Sequence, residues 1–171
     1  MKIRIKSIGV LTLTLLAAVA VSGCWATQSV GDLGVNDDDG LPPYGVITTQ
    51  QAADVVLELQ DDPEFVLLDI RTTAEVEAGH ISGAINLDFY GSSFRDNLTA
   101  LDRDKIYLIY CRTANRTGQA YNIMEELGFE RVYDMGGGIT QWAAGGYPVC
   151  VGPLDVSHIC SGELSQPSST S

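Results

Sequence analysis

Between residues 44 and 149 the chain alternates short apolar runs with segments of helical spacing, and that alternation admits few folds. The runs are Phe65-Val66-Leu67-Leu68, Ala84-Ile85-Asn86-Leu87, Ile106-Tyr107-Leu108-Ile109-Tyr110 and Arg131-Val132-Tyr133. Strands of a parallel sheet, buried on both faces, read as near-continuous apolar runs of this kind. Helices are expected in the gaps, over 49–59 with Thr48 as N-cap, 73–77, 92–98 and 117–127. The last carries Ala120, Tyr121, Met124 and Leu127 at three-to-four spacing, with Gly128 as a C-cap. Strands alternating with helices imply an α/β fold with a largely parallel sheet. With 171 residues, 45% of them apolar, the chain suffices for one core and hardly for two.

The two ends differ from this middle. Lys2, Arg4 and Lys6 make a basic leader, and 8–21 is an uncharged run. It is shorter than the roughly 20 apolar residues that span a bilayer, so 1–23 is expected to be a signal peptide. Val21-Ser22-Gly23-Cys24 resembles the bacterial lipobox, in which small residues admit a peptidase and the cysteine thiol takes the lipid. Lipidation at Cys24, and a place outside the cytoplasm on a bacterial membrane, are therefore expected. Trp25 is not the aspartate that commonly retains lipoproteins at an inner membrane, which favours the outer one.

Residues 24–43, rich in Gly and Asp, read as a tether, and 150–171 as a C-terminal extension ending in a polar tail. Removing 1–23 takes three of the ten basic residues and none of the 22 acidic ones, which leaves a net charge of −15. So acidic a surface repels phosphate backbones and argues against nucleic acid as a partner.

Against that background the strand over 106–110 runs directly into Cys111-Arg112-Thr113-Ala114-Asn115-Arg116, with a helix expected from Thr117-Gly118. Ligands of open α/β sheets bind at the carboxyl ends of strands, where a following helix offers unpaired amides and positive dipole charge. Such surroundings, with neighbouring cations, favour a thiolate. Arg112 and Arg116 supply the cations, and guanidinium groups match oxyanions.

Three motifs in order resemble the rhodanese-homology family. Leu68-Asp69-Ile70-Arg71, Glu75 and Gly79-His80-Ile81-Ser82-Gly83-Ala84-Ile85-Asn86 resemble its first signature. Cys111 to Gly118 resembles its active-site loop, and Gly136-Gly137-Gly138-Ile139-Thr140-Gln141-Trp142 its closing one. The resemblance implies a single domain over 44–149, with a five-stranded parallel sheet flanked by helices. It implies that Cys111, cradled by the amides of a loop formed with Arg112, Thr113, Ala114, Asn115, Arg116 and Thr117, takes the outer sulfur of thiosulfate or polysulfide as a persulfide. The sulfur then passes to cyanide, a thiol or a thiol-bearing redox protein. No metal and no organic cofactor is implied.

Phosphatases of similar fold place five residues between cysteine and arginine; here that arginine comes one position early, at Arg116, and Thr117 follows. The shorter loop suits a sulfur atom better than a phosphoryl group and leaves phosphatase or arsenate reductase as the lesser alternative. Asp69 and Arg71 are expected to be scaffolding that pairs with each other or with loop backbone. His80 is expected to tie the turn before the next strand, with a catalytic base as the alternative. Gly136 to Gly138 are expected to let the chain turn beside the loop, and Trp142 to pack in the core. Cys150 and Cys160 remain, and in an oxidising compartment they are expected to form a structural disulfide, with a sulfur relay from Cys111 as the alternative. A non-enzymatic sulfur carrier or docking subunit of an envelope redox complex stands beside the enzyme as the second functional reading.

Overall fold

The structure, a computed structural model, describes residues 40–154 and 159–160. The leader, Cys24, all of the tether but 40–43, and the tail beyond Cys160 lie outside the described residues. Five parallel strands form one sheet: β1 (Gly45–Ile47), β2 (Phe65–Asp69), β3 (Ile85–Asn86), β4 (Ile106–Tyr110) and β5 (Val132–Met135). Their spatial order is β1-β5-β4-β2-β3, so β4 is central and its carboxyl end opens in the middle of the sheet's edge. In register, Leu108 of β4 lies beside Leu67 of β2 and Tyr133 of β5.

Successive residues of the central strands feed opposite faces, as the two-residue period of a strand requires. Leu67, Leu108, Tyr110, Tyr133 and Met135 pack with α1 (Thr49–Leu59) and α5 (Gly138–Ala144). Leu68, Ile109, Cys111 and Val132 pack on the other face with α3 (Phe94–Thr99) and α4 (Asn115–Glu126). Both faces are covered, which is why the runs read as continuously apolar.

The helix over 49–59 falls where its spacing placed it, and Thr48 caps it through a reciprocal box with Gln51. A second such box, Thr72 with Glu75, starts α2 (Thr73–Ala78). α3 starts two residues later than the expected 92–98 and ends one later, and it follows Ser93, which makes no side-chain cap. The helix expected from Thr117 begins at Asn115 instead, because Ala114 takes a left-handed conformation (φ 66°) and turns the chain into α4 two residues early. Two elements carry no clear signal in the sequence: β1, a three-residue edge strand whose Val46 is 76% exposed, and α5, which starts inside a run of glycines.

Beyond the sheet, β6 (Cys150–Val151) and β7 (Ile159–Cys160) pair antiparallel, and Cys150 and Cys160 are joined by a disulfide. Cys150 is buried and exchanges both main-chain hydrogen bonds with His80, at 2.8 and 2.7 Å. The Gly152 amide also donates to the Glu77 carbonyl (2.9 Å), so the bridged ribbon is fastened to the end of α2. Replacing both cysteines by serine is expected to lower stability by about 2 to 3 kcal/mol, the chain-entropy value for so short a loop. Thermal unfolding with and without reductant checks this: reductant should lower the midpoint of the wild type and leave the double variant unchanged.

Candidate active site

Cys111 stands at the first position after β4, 1% exposed, and is the one free cysteine among the described residues. The link from β4 to α4 is only the four residues 111–114. Its carbonyls turn toward α5: the Ile139 amide donates to the Cys111 carbonyl (2.9 Å) and the Thr140 amide to the Arg112 carbonyl (3.1 Å). A helix start leaves amides in need of acceptors, and here the loop supplies them. The approach is close enough that a Cβ on Gly138 would stand 2.4 Å from the Cys111 oxygen and 2.7 Å from the Arg112 carbonyl carbon. Position 138, with φ 56°, thus admits only glycine.

With the carbonyls so engaged, the amides of the loop are left over. No main-chain N–H of residues 112 to 117 donates to another described residue. These groups and the start of the twelve-residue α4 lie in the turn that follows Cys111, an arrangement of main-chain donors that suits an anionic ligand. Ala114 is the single non-glycine residue with positive φ among those described, a conformation that costs about 1 to 2 kcal/mol and must be held by its surroundings. Part of that hold is the buried Thr117 hydroxyl, which donates back to the Ala114 carbonyl at 3.1 Å.

Arg112, Thr113 and Asn115 are exposed. Arg116 is not a free cation: its two terminal nitrogens donate to Glu75 Oε2 (2.8 Å) and Oε1 (2.7 Å), and its guanidinium lies over the Tyr90 ring, 5.5 Å from the centroid. The Arg116 hydrogen bonds lower the Glu75 carboxyl to a pKa of about 2, and in return Arg116 is held charged by Glu75 first and then, more weakly, by the charge of Cys111. The pair carries no net charge, so Arg116 brings little uncompensated positive charge to the loop. Arg112, by contrast, makes no ion pair among the described residues. It stands on the wall of an open groove of about 350 Å³ beside the loop, whose other walls include Arg71, Glu75, Thr140 and Ala143.

Asp69 and Arg71 form a buried pair. Arg71 Nε donates to Asp69 Oδ1 at 2.9 Å and Nη2 to Oδ2 at 2.5 Å. Burial works against the Arg71 charge, and the Asp69 carboxylate outweighs it. Arg71 also donates to the carbonyls of Glu75 (3.2 Å) and Gly79 (2.6 Å), so it grips α2 by the residue that holds Arg116. The Tyr110 hydroxyl accepts from the Ile81 amide (3.1 Å); burial first, then the Asp69 charge, push that phenol far above its ordinary range. His80 is buried in the turn after α2, with Nδ1–H donating to the Val76 carbonyl at 3.0 Å. Cys150 and Cys160 are bound to each other, on the α2 side of the fold.

Glu75 and Asp134 hold places near the loop to which the sequence reading gave no role. Glu75 was visible as the fourth residue of a Thr-x-x-Glu capping box, and Asp134 as an acid inside an apolar strand.

The comparisons agree with the fold that carries this site. Residues 52–145, more than half of the chain, match the family model of the rhodanese-like domain. The chain belongs to the rhodanese-like family. A sulfurtransferase of Allochromatium vinosum is 35% identical over 91 residues, covering 53% of this chain and 83% of that protein. A tRNA uridine(34) hydroxylase of Yersinia pestis is 33% identical over 113 residues, 63% of this chain but 31% of that protein. Among solved structures, a rhodanese-related protein of Thermoplasma volcanium is 30% identical and is covered over its whole length by 66% of this chain, with a TM-score of 0.53. The rhodanese-like domain of an Anabaena protein is 25% identical, with 71% of this chain and 88% of that one covered and a TM-score of 0.53. The five-stranded parallel sheet flanked by helices is the rhodanese-like fold, and with a sulfurtransferase among its relatives the chain is of sulfurtransferase type at the level of the family.

The Glu75–Arg116 pair gives this rhodanese-like domain a specific acid response. A carboxyl lowered from 4.5 to about 2 adds stability that is complete above pH 4.5 and is lost as the pH falls toward 2. Glu75→Gln is therefore expected to be less stable than wild type at pH 5 to 7, with the difference closing toward pH 2. Denaturant midpoints at each pH measure it.

Proposed function

We propose that the protein is a sulfurtransferase in which Cys111 carries sulfane sulfur from thiosulfate or polysulfide to cyanide or a thiol. The observation that carries this reading is the ring of main-chain amides left without acceptors around a buried cysteine at the carboxyl end of the central strand. In the first half-reaction the Cys111 thiolate attacks the outer sulfur of thiosulfate. The Sγ–S bond forms, the S–S bond of the donor breaks, and sulfite leaves with the bonding electron pair. In the second, cyanide or a thiolate attacks the outer persulfide sulfur, and Cys111 is released as thiolate. No proton need move in the first step. The loop amides face an anion on sulfur before and after it, which is where preorganised donors are most effective.

Arg112 is the cation left to meet an incoming oxyanion, since Arg116 is occupied by Glu75. A four-residue link between β4 and α4 leaves less room than a phosphoryl group requires, and the burial of Cys111 favours small donors over protein disulfides. We place this chemistry at the cell envelope, with 1–23 removed, Cys24 lipidated and 24–43 as a tether to the membrane, on the strength of the leader sequence alone.

Incubation with thiosulfate and cyanide should release thiocyanate, and the protein treated with thiosulfate alone should gain one sulfur atom, about 32 daltons, on the peptide that contains Cys111. Cys111→Ser should reduce both to background. Arg112→Ala should raise KM for thiosulfate roughly tenfold with kcat nearly unchanged, as expected for loss of one charge-assisted contact. A folded wild type that forms neither thiocyanate nor persulfide with small donors would favour the carrier or docking role instead.

A further inference from the structure

The groove beside the Cys111 loop offers about 350 Å³, well beyond what cyanide or thiosulfate fills. That volume lies at the lower end of the roughly 300 to 1,000 Å³ typical of pockets for organic ligands. The charge on its walls is almost wholly spent: Arg71 is held by Asp69 and Glu75 by Arg116, so each of these pairs is neutral. Arg112 is the one lining charge that enters no ion pair among the described residues, in a chain of net charge −12. The lining is otherwise mostly short and apolar, with Ile139, Ala143 and Val149 beside the hydroxyl of Thr140. Ile139 and Thr140 join the groove to the loop, since their amides hold the carbonyls of Cys111 and Arg112. Val149 lies outside the residues matched by the family model and precedes Cys150, whose N–H and C=O are both bonded to His80. It sits so close to the end of α2 that a Cβ on Gly79 would stand 3.0 Å from its Cγ1. The disulfide ribbon thus sets one wall of the groove.

We propose that this groove is the acceptor's site and takes a low-molecular-weight thiol that carries a carboxylate. For its catalytic step the proposal rests on the sulfur-transfer reading, which leaves the acceptor open. A guanidinium presents paired N–H donors that match the two oxygens of a carboxylate, and Arg112 has no such partner among the described residues. A neutral thiol leaves that donor set unmatched, and a cationic one meets it with like charge. The apolar walls suit a methylene stem. Arg112 directly follows Cys111, so a carboxylate held there needs only a short stem to bring its thiol to the loop. The acceptor reacts as thiolate, its proton given to solvent. It attacks the outer sulfur of the Cys111 persulfide, the new S–S bond forms, and the Sγ–S bond breaks. Cys111 leaves with the electron pair as thiolate, and the product is an alkyl persulfide. No oxidant or reductant is consumed.

The test compares acceptors on the full chain at saturating thiosulfate, with sulfite release as the readout common to all of them. The acceptors are β-mercaptopropionate, its neutral amide and cationic cysteamine, with rates expressed per thiolate. The carboxylate should have a kcat/KM roughly tenfold above the amide, as expected for one charge-assisted contact, with cysteamine lowest. Arg112→Gln should bring the three within about twofold of one another. Val149→Phe, which narrows the groove, should raise the ratio of KM for β-mercaptopropionate to KM for cyanide several-fold. Equal kcat/KM for the three thiols, in a wild type that turns over cyanide, would overturn the proposal and leave the sulfurtransferase reading intact. The S-methyl ether of β-mercaptopropionate, which accepts no sulfur, separates the two further. It should shift the methyl resonances of Ala143 and Val149 and slow iodoacetamide alkylation of Cys111, both less in Arg112→Gln. Absent shifts, or shifts without protection of Cys111, overturn the site whatever the activity. A chain that gives shifts and protection yet forms no thiocyanate retains the carboxylate site and loses only the sulfur-transfer reading.

Discussion

The site depends on how closely α5 approaches the strand end of β4. Two amides from the first turn of α5 take up the carbonyls of Cys111 and Arg112, and this needs a residue without a side chain at position 138. The same contact does two things. It gives α5 the acceptors that its start lacks, since Gly137 makes no side-chain cap. It also fixes the first two peptide units of the loop, whose carbonyls are bonded to α5, while the amides of residues 112 to 117 have no main-chain acceptor among the described residues. The free amides of the loop are in that sense a by-product of helix capping elsewhere.

Charge plays a smaller part than the arginines of the loop suggest. Arg116 is neutralised by Glu75, Glu75 is fixed by the Thr72 capping box and by the grip of Arg71 on its carbonyl, and Arg71 is held by buried Asp69. Breaking a buried pair strands the partner charge, so each link resists removal more than its net contribution would indicate. The chain of contacts runs from the end of β2 through α2 to the first turn of α4, and it positions Arg116 rather than adding positive charge. The disulfide ribbon is fastened to the same helix through Glu77 and His80, which extends this support beyond the residues matched by the family model.

The central strands, α1 and the Cys111 loop were legible because each has a local cause. Apolar runs mark strands covered on both faces, Thr48 marks a helix start, and a cysteine between a strand and a helix marks a site. What could not be read is what depends on contacts distant in sequence. β1 is too short and too exposed to leave a pattern, and α5 begins in glycines that favour no helix until the loop carbonyls cap it. The early start of α4 is set by a left-handed alanine, a conformation that nothing in alanine itself requests. The engagement of Arg116 by Glu75, 41 residues away, turns an expected substrate cation into an internal one.

The cysteines divide the labour in a way that bears on where such a protein can work. Cys150 and Cys160 are occupied by each other, and Cys111 is buried at the far end of the contacts that lead from their ribbon. Among the described residues no second free thiol exists to resolve an oxidised or persulfidated Cys111 from within. A sulfur atom accepted there must then leave to an external nucleophile, and an oxidised thiol must be restored by an external reductant. In an oxidising compartment this separation keeps the bridge that supports α2 apart from the sulfur that reacts. On the proposed sulfur-transfer reading, the acceptor comes from outside the described residues.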